Sequence, residues 1–157
     1  MTRNDGIMVK RPLKKDFCGI LDLRWRVLDE PVNNPKQSTL TLNDLNSDIV
    51  HVAAFDGDKV VSTVRLERYI CKQTPTYLVR KMATDPNYQR RGIGGDVLKM
   101  AEQIIRKKGV NKLILHARPE AIKFYKSLGY KLNGRTEIHD GHQNPEMEKY
   151  LDVDRKN

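Results

Sequence analysis

The residues best able to do chemistry lie in one run. Leu78-Val79-Arg80-Lys81-Met82-Ala83-Thr84-Asp85-Pro86-Asn87-Tyr88-Gln89-Arg90-Arg91-Gly92-Ile93-Gly94-Gly95 passes from strand-like alternation into a basic, glycine-rich turn and then directly into an amphipathic helix. Gly92 and Gly94 let the backbone approach a ligand with its amides turned inward. The helix that follows aims its free N–H groups and the positive end of its dipole at the same spot. Together these make an anion cradle suited to a phosphorylated ligand. A Walker loop needs Gly-x-x-x-x-Gly-Lys-Ser/Thr, and the dinucleotide fingerprint needs Gly-x-Gly-x-x-Gly with a later acidic residue. The chain has neither, which disfavours nucleoside triphosphates and nicotinamide cofactors.

Charge is distributed to match. The net charge is +9, and residues 85–135 hold 12 Lys/Arg against 4 Asp/Glu, whereas residues 136–157 hold 3 against 6. A positive field over the cradle would speed encounter with a polyanion and make binding salt-sensitive. The same field would draw nucleic acid, but no helix-turn-helix, zinc-finger or aromatic RNA-binding signature accompanies it.

What the turn does contain is Gln-x-x-Gly-x-Gly, at Gln89, Gly92 and Gly94. Here the chain resembles the GNAT superfamily of acyl-CoA N-acyltransferases, in which this motif holds the pyrophosphate of coenzyme A. The resemblance continues in order along the chain. A Met-Ala-Thr strand end and Asp-Pro precede the turn. A long helix and a strand follow it, and then comes Ala121-Ile122-Lys123-Phe124-Tyr125-Lys126-Ser127-Leu128-Gly129-Tyr130, similar to the family's Ala-x-x-Phe-Tyr-x-x-x-Gly-Tyr/Phe signature.

The resemblance implies a fold and a reaction. The expected fold is α/β: a mixed, mostly antiparallel sheet of six to seven strands with about four helices, in one domain covering residues 1–157. The expected reaction is transfer of an acetyl group from acetyl-CoA to a primary amine, by direct attack in a ternary complex. It also implies that the strand before the turn splays from its neighbour. Met82, Ala83 and Thr84 would then hold the pantetheine, with the Met82 N–H polarising the acyl carbonyl. Gln89, Arg90, Arg91, Gly92, Ile93, Gly94 and Gly95 would wrap the pyrophosphate.

Tyr125 matches the tyrosine that protonates the leaving thiolate, and a phenol with a reference pKa near 10 can do so untuned. It would also serve simply to pack its helix on the sheet. For a general base, Glu67 and His116 lie at strand positions from which a water could reach the amine, and each has an equally good structural explanation. Arg118 departs from the asparagine common in the family and would pair with a phosphate. Lys123 would reach the 3′-phosphate or be solvated. Two alternatives stay open: a non-catalytic acyl-CoA-binding regulatory module, and a basic nucleic-acid-binding domain.

Around these residues the pattern gives the elements that must position them. Ile7–Val9 reads as a first strand and Lys14–Leu28 as a helix. Asp29–Ser38, with two prolines, reads as a loop, followed by a short helical turn near Leu42–Leu45. Ile49–Phe55 and Val60–Tyr69 form a hairpin about Asp56-Gly57-Asp58, and a second return through Thr74-Pro75 leads to the Leu78–Thr84 strand. Gly94–Lys108 is a helix with one apolar stripe, Lys112–His116 a buried strand, and Pro119–Ser127 a helix closed by Gly129. Tyr130–Leu132 and Glu146–Leu151 are weaker strands around a polar loop, Thr136–Pro145.

The remaining features mostly exclude. Length gives a single domain able to bury a core. No apolar run is long enough to span a membrane and the first residues are not a signal sequence, so a soluble, cytoplasmic protein is expected. Cys18 and Cys71 form no disulfide framework and are expected to be free thiols. His139, Asp140, His142, Glu146 and Glu148 have no common zinc spacing, so no metal is expected. The acidic tail, Glu146 included, would attract a cationic acceptor, whereas Arg24, Arg26, Arg65 and Arg68 would suit an acidic one. An exposed sheet edge near the end of the chain would make a homodimer unsurprising.

Overall fold

Seven strands and three α-helices account for most of the computed structural model, which describes all residues except 40–43, 45, 70–73, 140 and 153–157. The strands are β1 (Met8–Lys10), β2 (Val50–Asp56), β3 (Lys59–Arg68), β4 (Thr76–Thr84), β5 (Lys112–His116), β6 (Lys131–His139) and β7 (His142–Tyr150). The helices are α1 (Phe17–Arg24), α2 (Ile93–Lys107) and α3 (Ile122–Ser127). The sheet is mostly antiparallel, as expected. The chain divides into two compact units, residues 1–67 with 80–104 and residues 68–79 with 105–157.

In the first unit β1 pairs antiparallel with β2, and β2 with β3, in the register Val9↔Ala54 and Val52↔Val64. The β2–β3 hairpin turns at Gly57 with φ 58°. All of β2 except Asp56 is buried, so both of its faces are covered rather than alternating with solvent, His51 being the one polar side chain among the buried six. Ile20 and Leu23 of α1 pack on Ala53, Phe55, Val60 and Ala83, with Phe17, Val27 and Leu28 at the margin. The helix expected over Lys14–Leu28 is found as three successive windings: a 3₁₀ turn at Lys14–Asp16, α1, and a π-turn at Trp25–Asp29. The Asp29–Ser38 stretch is less open than its prolines suggest, with 3₁₀ turns at Glu30–Val32 and Lys36–Thr39. The turn expected near Leu42–Leu45 and the thiol of Cys71 lie outside the described residues, Asp44 excepted.

The apolar stripe of α2 is realised: Val97, Leu98, Ala101 and Ile105 are fully buried. In the second unit, the first residues of β4 run parallel to β5 from Thr76↔Lys112 to Leu78↔Ile114. On its other side β5 is antiparallel to β7 as far as His116↔Glu146. The polar loop expected over Thr136–Pro145 is instead the body of a hairpin: β6 and β7 pair through Thr136↔Pro145 to His139↔His142. Most β6 side chains are exposed, which leaves little of the apolar alternation that marks a strand. A 3₁₀ turn at Pro119–Ala121 leads into α3, and Gly129 at φ 93° ends it. Among the described residues no helix is long and apolar enough to cross a membrane.

Candidate active site

β4 ends in the run that the sequence marks as the cradle. Lys81 sits at φ 53°, a left-handed conformation that interrupts the strand one residue before Met82. The β4–β5 ladder stops at Leu78↔Ile114, although β4 continues to Thr84 and β5 to His116. Ala83 is buried in the core cluster, while Met82 and Thr84 are half-buried. The Thr84 hydroxyl shares a hydrogen bond of 2.8 Å with Ser62 on β3, which fixes the end of the strand.

Asp85 then turns the chain. Its carboxylate accepts from the Asn87 N–H at 2.9 Å, capping the 3₁₀ turn Pro86–Tyr88, and faces Arg26 at 3.3 Å and Lys59 at 3.7 Å. Burial alone would push this carboxyl up. The Asn87 N–H, Arg26 and Lys59 outweigh burial and hold it below the ordinary carboxylate range. Gln89 donates from Nε2 to the Thr84 carbonyl at 3.2 Å and so braces the turn from within. Arg90 at φ 64° and Gly92 at φ 76° are both left-handed, a pattern that turns successive amides toward one point.

The first intrahelical bond of α2 is Asp96 N–H to the Gly92 carbonyl at 3.1 Å. The N–H groups of Ile93, Gly94 and Gly95 therefore precede any acceptor inside the helix. Arg90, Arg91 and Gly92 are exposed, and Ile93 is buried beneath them. The structure thus brings the seven proposed pyrophosphate residues into one basic, amide-rich turn.

What holds this turn from outside comes from the first residues of the chain. Arg3 donates from Nη2 to the Arg91 carbonyl at 2.5 Å, from Nε to Asp5 at 3.2 Å, and is bonded to Asp96 of α2. Asp5 in turn accepts from Arg91 at 3.0 Å. Arg3 and Asp5 are near neighbours in sequence, but their partners on the turn and α2 lie 86 to 93 positions away, so local spacing carries no trace of those contacts.

Glu67 is not a free base. Its carboxylate lies 3.4 Å from Arg65 and 3.3 Å from Arg80. Behind it Arg24 and Arg65 each donate to Asp44 Oδ1 at 3.0 Å, all three buried. His51 completes the group: its Nε2–H donates to the Asp44 carbonyl at 3.3 Å, and its Nδ1 accepts from Arg24, also at 3.3 Å. Burial, then the adjacent Arg24 charge, lowers the His51 pKa to about 4. This buried polar group was not read from the sequence, because Arg24 falls among apolar helix positions and looks like one exposed residue among many.

In the second unit, Tyr125 is 9% exposed and packs edge-on against Phe124 and Tyr130, with ring centroids 5.0 and 5.9 Å away. Burial pushes its pKa up to about 12 against the opposing effect of Arg118, so the phenol keeps its proton through the neutral range. Arg118 precedes the 3₁₀ turn leading to α3, and Lys123 is exposed on α3. His116 has both ring nitrogens engaged, Nε2 with Glu146 and Nδ1 with Glu137, each at 3.1 Å. Glu146, expected to face a cationic acceptor, is buried and also accepts from Asn133 at 2.5 Å.

An acetyltransferase (GNAT) domain matches residues 46–132. The chain is 27% identical over 118 residues to the uncharacterized N-acetyltransferase YjcF of Bacillus subtilis, an alignment covering 75% of this chain and 80% of that one. Its fold is similar to that of a crystal structure described as a putative N-acetyltransferase from Lactobacillus plantarum (TM-score 0.75, 20% identity, 92% of this chain and 97% of that one). It is also similar to the PaiA N-acetyltransferase of Thermoplasma acidophilum in complex with coenzyme A (TM-score 0.70, 23% identity, 92% and 99% covered). A domain match across more than half of the residues, with the glycine-rich turn ahead of α2 inside it, leads to one conclusion: the chain belongs to the GNAT acetyltransferase family.

Proposed function

We propose that the protein moves an acetyl group from acetyl-CoA to a primary amine by direct attack in a ternary complex. The observation that carries this reading is the turn at Arg90–Gly95. Arg90 and Gly92 are left-handed, Arg90, Arg91 and Gly92 are exposed, and the first N–H groups of α2, on buried Ile93, Gly94 and Gly95, follow directly, an arrangement suited to an anion. The coenzyme A bound to the Thermoplasma relative supports the same ligand here.

In this reading Met82, Ala83 and Thr84 hold the pantetheine through β4 backbone groups, and the Met82 N–H stabilises the oxyanion. Arg118 and Lys123 add charge for the phosphates. The amine nitrogen attacks the thioester carbonyl, the C–S bond breaks, the nitrogen loses a proton to water, and Tyr125 protonates the departing sulfur. The phenol's raised pKa keeps that proton available. Glu67 and His116 are each bound to charged partners, which favours water as the carrier of the amine proton.

Calorimetry with coenzyme A at low ionic strength, followed by thiol release from acetyl-CoA over a panel of amines, tests the proposal. Binding with turnover supports it. Binding without turnover against any amine would leave a regulatory acyl-CoA module, and absence of binding would end the reading.

A further inference from the structure

The segment ahead of β1 folds back along that strand and carries one side chain onto the basic turn. Gly6, at φ 82°, closes the bend: the Arg3 N–H donates to the Ile7 carbonyl at 2.8 Å, and the Gly6 N–H to the Arg3 carbonyl at 3.0 Å. Thr2 bridges Met8, and the Val9 N–H donates to the Met1 carbonyl at 2.8 Å. A backbone fixed in this way has little freedom left to lose when the Arg3 guanidinium finds its partners.

All three nitrogens of that guanidinium are engaged. Nε donates to Asp5 at 3.2 Å, Nη2 to the Arg91 carbonyl at 2.5 Å, and Nη1 to the Asp96 carboxylate. A Cβ added to Gly92 would stand 3.9 Å from Nη1, so the cation lies beside the left-handed glycine of the turn. Asp5 also accepts from Arg91 at 3.0 Å, which makes Arg91, Asp5, Arg3 and Asp96 an alternating row of charges. The Arg3 hydrogen bond does most to hold the Asp5 carboxyl below its ordinary range; against burial, the Ile7 N–H and Arg91 add to it.

We propose that Arg3 is a positioning residue for coenzyme A: it sets the Gly92 N–H by holding the carbonyl of the same peptide, and it cancels the Asp96 charge beside the phosphates. This role rests on the coenzyme A reading of the turn and adds to it a residue that acts without touching the ligand. In a trans peptide the C=O and N–H point opposite ways. An Arg91 carbonyl drawn to Arg3 therefore sends the Gly92 N–H away from Arg3. Asp96 stands in the first turn of α2. A carboxylate there favours the helix but competes with any bound anion for the same N–H groups and dipole end, unless a cation offsets it. A guanidinium reaches three acceptors as a planar fork, which the single ammonium of lysine does not reproduce.

Calorimetry of the full chain with coenzyme A at low ionic strength tests the role in wild type, Arg3→Gln, Arg3→Lys and the double variant Arg3→Gln with Asp96→Asn. Each titration is run well below that protein's thermal midpoint, so that only folded protein is compared. The expected Kd is about tenfold higher in Arg3→Gln and about fivefold higher in Arg3→Lys, returning to within about threefold of wild type in the double variant. A residue serving stability alone would lower the midpoint and leave the Kd of the folded protein unmoved. An unmoved Kd in Arg3→Gln, or a loss that Asp96→Asn does not relieve, would overturn the role while leaving the coenzyme A reading intact. If Arg3→Gln does not fold, Arg3→Lys decides: a weaker Kd supports the fork and a wild-type Kd overturns it. No binding by the wild-type chain ends both the role and the reading beneath it.

Discussion

Acid should unfold this protein early, through one histidine. His51 is 8% exposed, sits against Arg24, Arg65, Asp44 and the Phe17 ring, and titrates near 4 rather than 6.5. Its folded pKa lies below its unfolded one, so the unfolded chain binds the extra proton first as pH falls. The contribution is fully present above pH 6.5 and is withdrawn between 6.5 and 4. Each pKa unit is worth about 1.36 kcal/mol, so the loss by pH 4.5 reaches about 2.5 kcal/mol, or about 2 kcal/mol after residual solvent screening. Asp22 and Asp85 have lowered pKa values, so their contributions fade mainly below this window. Urea unfolding followed by Trp25 fluorescence, at pH 7 and pH 4.5, in wild type and His51→Gln, isolates the effect. The variant begins less stable, because it disturbs the Arg24–Asp44 group, but should lose about 2 kcal/mol less on acidification. Equal losses in the two proteins would refute a neutral, buried His51.

Four further outcomes follow from the site. Tyr125→Phe should cut turnover by about 10²-fold with coenzyme A affinity nearly intact, as measured by thiol release and calorimetry. Gly92→Ala places a side chain at φ 76°, a cost of about 1–2 kcal/mol, and should appear as weaker coenzyme A binding with little change in the preferred amine. His116→Ala should lower kcat less than about threefold, because both ring nitrogens already serve Glu137 and Glu146. The Kd for coenzyme A should rise by about tenfold between 50 and 500 mM salt, the signature of a phosphate held by exposed Arg90 and Arg91.

How legible each part was depended on how local its cause is. β5 was read to the residue, because Lys112–His116 has a continuously apolar centre that is buried on both faces. α2 was read within one residue from a stripe with a single period, and the cradle from two glycines ahead of it. The β6–β7 hairpin was read as a loop because its face is wet and polar. The sequence signal there is Asp140-Gly141, the same dipeptide that begins Asp56-Gly57-Asp58. Burial of Arg24 and Arg65 was invisible. Nothing in the spacing says that two arginines 41 positions apart will share one carboxylate oxygen. The same holds for the contacts of Arg3 with Arg91 and Asp96, which tertiary folding alone sets.

That arginine ties the first residues to the turn at Arg90–Gly95, so, on the proposed reading, a perturbation that never meets the ligand can imitate one that does. A fusion peptide ahead of Arg3, or trimming by a protease just beyond it, would slacken the carbonyl of Arg91 and the first turn of α2 together. An assay of tagged protein would then record the handling of the terminus as a defect in donor capture.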